Sequence, residues 1–174
     1  MEDHKLQVLT NKVWEEAELA FSYSKKIRIY TDRRRNRNRL ADAIIILLVC
    51  FTSFSFLIDG HFPLFVSILS SIAILAKQML PIFIQSESDL SKLDNAADFF
   101  AKYLVDMDKF YYNLMHGIST PDECSNDFYK LRKSSTDYYT IVNRYYRGLP
   151  EKYNLKVKKE FDEYTKSFKA SERE

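Results

Sequence analysis

The stretch LADAIIILLVCFTSFSFLIDGHFPLFVSILSSIAILAKQMLPIFI, residues 40–84, decides how this chain is read. It holds two apolar runs, Leu40 to Ile58 and Phe62 to Ile84, parted only by Asp59-Gly60-His61. As a helix the first run extends about 28 Å, close to the thickness of a bilayer's hydrocarbon core. The second is longer and is interrupted by Lys77 and Pro81. No charge falls between Ala43 and Ile58, whereas a helix in a soluble core keeps one polar stripe. The expectation is an all-α membrane protein. It has an N-terminal amphipathic helix with a basic juxtamembrane segment (1–39), a two-span transmembrane hairpin (spans 40–58 and 62–84) and a cytoplasmic helical tail (85–174). The competing reading is a helical hairpin buried in a soluble core.

Charge sets the expected orientation. Lys25, Lys26, Arg28, Arg33, Arg34, Arg35, Arg37 and Arg39 precede the first run, against the single acid Asp32. The turn between the runs offers Asp59 and His61 and no lysine or arginine. By the positive-inside rule both termini are cytoplasmic and only Asp59 to Phe62 reach the far side. The mean hydropathy of −0.33 over 174 residues averages an apolar hairpin with polar flanks. No cleavable leader is expected, because the apolar run begins near residue 40 without a small-residue cleavage pattern. Cys50 and Cys124 are poorly placed to pair and resemble neither a disulfide framework nor a metal site.

The remainder reads as helix. Gly60, Gly117 and Gly148 fall where helices should stop, with Pro63, Pro121 and Pro150 close behind. Leu90, Leu93, Ala97, Phe100, Leu104, Met107, Tyr111 and Leu114 alternate steps of three and four, a heptad seam. A second seam runs through Phe128, Leu131, Ser135, Tyr138, Val142, Tyr145 and Leu149, and a shorter helix presents Tyr153, Val157, Phe161, Tyr164 and Phe168. Upstream, Leu6, Leu9, Val13, Ala20 and Ile27 mark one long amphipathic helix. These faces either pack on one another as a bundle or join subunits, with Leu93, Phe100, Leu104, Met107 and Tyr111 as the assembly seam. Tyrosines come in doublets at 111–112, 138–139 and 145–146. Packing accounts for one member of each, and the other widens that face, stacks on a base or meets another subunit.

Arg33, Arg34, Arg35, Arg37 and Arg39 could suggest nucleic acid. Directly before an apolar run they fit anionic head groups better, with a phosphate-bearing ligand as a further possibility. In the second run Ser67, Ser70, Ser71, Ile74 and Gln78 share a face, a narrow polar stripe. It lines a pore together with Lys77, or it lets helices approach closely through Ser67 and Ser71. Lys77 needs an interior partner, for which Asp42 is the natural choice, or a route to water. Pro81 frees the carbonyl of Lys77 and should bend the helix. Catalysis has no support: there is no phosphate loop, nucleophile elbow or zinc spacing, and His4, His61 and His116 lie far apart. The expectation is a non-enzyme without a cofactor.

A helix carrying Val13-Trp14 and Ala20-Phe21-Ser22-Tyr23-Ser24 leads into Arg33-Arg34-Arg35-Asn36-Arg37-Asn38-Arg39-Leu40, a tight hairpin and a helical tail. Over nearly the whole chain this layout resembles the SLATT family, two-transmembrane effectors of prokaryotic nucleotide-second-messenger conflict systems. The resemblance implies an effector of bacterial antiviral defence in the inner membrane, forming a gated pore that ends infection by killing the host cell. It also implies a homo-oligomer in the lipid bilayer and an operon-encoded sensor, a nucleotidyltransferase or reverse transcriptase, with a direct nucleotide ligand left open. It transfers no residue roles. Two other readings stand beside it: a membrane-anchored scaffold that recruits a soluble partner through its aromatic tail, and a small ungated toxin, against which the long tail argues.

Overall fold

A computed structural model describes residues 2–55, 62–83, 85–118 and 120–171, with the side chains of 2, 3, 49, 51–55, 62, 63, 65, 76–83, 121 and 168–171 outside the description. Six helices follow one another: α1 (Glu2–Ser55), α2 (Phe62–Phe83), α3 (Glu87–Met115), α4 (Pro121–Ser134), α5 (Thr136–Tyr145) and α6 (Glu151–Ser171). Among the described residues helix is the only regular structure. The chain forms two compact units, Met1–Tyr30 with Ser91–Glu174, and Thr31–Leu90.

The first unit is built by the periodic faces. Val13, Ala17, Ala20, Phe21 and Ile27 of α1 are buried, as are Leu93, Ala97, Phe100, Met107, Tyr111 and Leu114 of α3. Phe128 of α4, Val142 of α5 and Val157 of α6 complete this core. Rings knit the faces together: Tyr111 stacks on Trp14 at 5.3 Å, and Phe100 meets Tyr23 at 5.2 Å. The helix ends have clear chemical causes. Gly117, at φ 63°, lets the N–H of Ile118 return to the carbonyl of Asn113 at 3.0 Å, which closes α3. Thr120 caps α4 through a reciprocal box with Glu123, and Pro121 opens its first turn.

The seam from Phe128 to Leu149 is not one helix. It breaks at Ser135, which ends α4 and begins α5. The Ser134 and Ser135 hydroxyls donate to the carbonyls of Leu131 and Arg132, at 2.6 and 2.7 Å. Such local bonds compete with the helical ladder. A relay through a single residue keeps the seam in register, and Ser135 and Val142 are both buried.

In the second unit α2 lies against the distal part of α1, where the Ser70 hydroxyl donates to the carbonyl of Leu48 at 3.2 Å. Arg35 pairs with Glu87 of α3 at 2.7 Å, and Thr31, Ser70 and Leu90 are buried.

The two-span reading is overturned. Among the described residues no helix is long and apolar enough to cross a membrane. With it falls the placement as a multi-pass protein of the bacterial inner membrane with both termini cytoplasmic. The first apolar run is not a helix of its own but the last part of a 54-residue helix. Its described uncharged portion, Ala43 to Ser55, rises only about 20 Å, against about 30 Å of hydrocarbon. The placed side chains of α2, from Leu64 to Leu75, include three serines, one of them buried against α1. Asp59-Gly60-His61, Ile58 and Ile84 lie outside the described residues.

Candidate interaction surface

The most unusual feature of the second unit is aliphatic exposure. On α1, Leu40, Ile44, Ile46 and Leu47 are exposed, and on α2, Leu64, Ile68, Leu69, Ile72, Ile74 and Leu75, each between 41% and 63% accessible. Ile44 and Leu47 are three residues apart and share a face, as do Leu64, Ile68, Ile72 and Leu75. Ten exposed aliphatic side chains on two neighbouring helices exceed the single scattered ones of an ordinary surface, although Ile46, Leu69 and Ile74 lie on other sides of their helices. A contiguous patch of more than a few hundred Å² marks an interaction site, and a standard interface takes about 800 Å² from each partner.

The arginines stand beside it in sequence, on the part of α1 that belongs to this unit. Arg33, Arg37 and Arg39 are exposed and Arg34 and Arg35 half-buried, Arg35 in its pair with Glu87. The proposed pore stripe is divided in its contacts. Ser70 is turned into the α1 contact, while the exposed Ser71 donates to the carbonyl of Ser67 within its own helix, at 2.9 Å. These two hydroxyls are thus satisfied by backbone carbonyls. Lys77 and Gln78 lie in α2 with side chains outside the description, so neither the Asp42–Lys77 pair nor a bend at Pro81 is described.

The assembly seam is occupied within the chain. Leu93, Phe100 and Met107 are fully buried, Tyr111 nearly so, and Leu104 half-buried. The tyrosine doublets pack as well. Tyr138 stacks on Phe99 at 3.8 Å, Tyr139 meets Phe100 at 5.1 Å, and Tyr146 meets Tyr30 at 5.2 Å. Tyr112 remains half-exposed beside His116.

Two polar groups inside the first unit escaped the sequence reading. Glu16 of α1 is buried, pairs with Arg132 of α4 at 2.8 Å and accepts hydrogen bonds from Tyr103 and Tyr139 at 3.3 and 3.4 Å. Burial, and then the Glu16 charge, push both phenols well above the ordinary tyrosine range, and burial takes Tyr146 up to about 12. The signal was present: Glu16 follows Val13 by three and precedes Ala20 by four, a carboxylate on the apolar face. The second is Asp108 of α3, which accepts the hydroxyl of Tyr164 from α6 through Oδ2 while its Oδ1 is buried without a hydrogen-bond partner. Burial raises its pKa, with the Tyr164 bond opposing. Both groups are suited to holding helices together. Among the described residues no cluster of metal-ligating side chains occurs.

No family model, curated protein or solved structure matches this chain.

Proposed function

We propose that this protein is a non-enzymatic helical effector of a prokaryotic antiviral system that works by self-association. The aliphatic face of the second unit is the contact between copies, and the first unit receives a signal from a separate sensor protein. The observation that carries the assembly is the exposed aliphatic set that includes Ile44, Leu47, Ile68 and Ile72. The defence role rests on the resemblance of Val13-Trp14, Ala20 to Ser24 and Arg33 to Leu40 to SLATT effectors, as does the sensor, a nucleotidyltransferase or reverse transcriptase encoded nearby. The experiment is light scattering on the purified full chain beside an Ile44→Glu, Ile72→Glu variant. The wild type should be oligomeric and the variant should dissociate, because each glutamate would be buried uncompensated. In cells challenged with phage, the variant should lose protection while remaining expressed. A monomeric wild type, or one that co-sediments with anionic vesicles without associating, would overturn self-association.

A further inference from the structure

α6 follows α5 through Tyr146, extended at φ −82° and ψ 120°, then Gly148 at φ 87° and Pro150. A side chain at Gly148 would meet nothing within 4 Å, so the link is open at that residue, while Tyr146 meets Tyr30 at 5.2 Å. Of the described side chains of α6 only Val157 is buried. Phe161 and Tyr164 lie on an aromatic strip of α1: Phe21 is 5.4 Å from Phe161 and 5.5 Å from Tyr164, and Trp14 is 6.3 Å from Phe161. Tyr111 of α3 continues the strip by stacking on Trp14. Polar ties of α6 to this strip's helices include a partly exposed pair, Lys25 with Glu160 at 3.3 Å, and the Tyr164–Asp108 bond, which leaves Oδ1 of Asp108 unsatisfied.

We propose that the Trp14–Phe21–Tyr111 strip is an exchangeable helix-docking site, which takes α6 of a second copy of this chain in place of its own. The fit of the occupant is shown by the resident helix, since Val157, Phe161 and Tyr164 fall at i, i+4 and i+7 and every copy carries the same sequence. α6 buries a single described side chain, Val157, and its bond to Asp108 leaves one carboxylate oxygen without a hydrogen-bond partner, features of an element that opens locally. A short link of five residues containing one left-handed glycine is the kind of connection through which an element passes to a neighbour. Exchange of this kind joins copies through the first unit. It does not depend on the aliphatic face of the second.

The test uses full-length chains with Cys50 and Cys124 replaced by alanine. One chain carries Lys25→Cys, and a second of different size tag carries Glu160→Cys. After mixing, a short bis-maleimide linker should join the two into a covalent heterodimer whose yield rises with incubation time. The yield should fall several-fold when the Glu160→Cys chain also carries Phe161→Ala and Tyr164→Ala. It should persist in chains bearing Ile44→Glu and Ile72→Glu, which separates this site from association through the second unit. A single chain carrying both cysteines reports the resident position by linking internally. Internal linking with no heterodimer would overturn exchange, and so would a heterodimer indifferent to Phe161 and Tyr164. Failure of the double-cysteine chain to link internally would overturn the docking itself.

Discussion

Phe100 and Leu104 are consecutive positions of one heptad seam, yet they carry different weight. Phe100 is fully buried between Tyr23 and Tyr139, whereas Leu104 is half-buried. Phe100→Ala should cost about 3–5 kcal/mol, and Leu104→Ala clearly less than the 2–5 kcal/mol of a fully buried leucine. Chemical denaturation of the two variants measures the difference, and equal losses would show that the seam is packed uniformly. Asp108 supplies a test of opposite sign. Burial lifts its pKa above the value in an unfolded chain. A carboxyl raised in this way stabilises the fold while protonated, and that contribution is lost as pH rises through the folded pKa. Asp108→Asn should therefore raise the melting temperature at pH 7, with the gain shrinking as pH falls toward the ordinary carboxylate range, near about 4. Melting curves across that interval check it. A variant no more stable than wild type at pH 7 would remove burial as the dominant influence on this carboxyl.

At the scale of elements, spacing was a good guide wherever one face is buried. The α3 seam was legible because seven of its eight positions are buried in the fold, and α1 because Val13, Ala20 and Ile27 point the same way. The division of α4 from α5 was not legible, since Ser135 sits on the seam at the right interval and spacing is blind to a hydroxyl that bonds its own backbone. Glu16 was hidden for a related reason: periodicity counts apolar residues, and the carboxylate that joins four helices lies among them. The capping box of α4 gives the local prediction. Thr120→Ala removes the oxygen that accepts from the N–H of Glu123, at 3.4 Å, and the hydroxyl that bonds the Glu123 carboxylate at 2.8 Å. It should destabilise the protein by about 1 kcal/mol. Glu123, whose pKa is lowered chiefly by its bonds to the Thr120 hydroxyl and backbone, should titrate higher in that variant by NMR. An unmoved Glu123 would mean that the box contributes nothing in solution.

For the whole molecule, the sequence displayed how apolar residues 40–84 are without displaying what they face. The two-span reading rested on run length, on the absence of charge between Ala43 and Ile58 and on the arginines before it, and the fold instead places described aliphatic side chains of that stretch outward on a helix pair. If copies meet through that surface, association should tighten in sulfate, which strengthens apolar burial, and loosen in moderate urea. Ion-pair assembly through the arginines of α1 would instead weaken as salt rises, and sedimentation at several ionic strengths separates the two. The stacking of Trp14 on Tyr111 and its edge contact with Phe161 have a practical corollary, because the chain contains a single tryptophan. Its indole emission originates wholly in the first unit, whatever the second is doing, and one of its ring contacts belongs to α6. Intrinsic fluorescence is thus a built-in optical gauge of that helix, readable without a label while circular dichroism follows the entire chain.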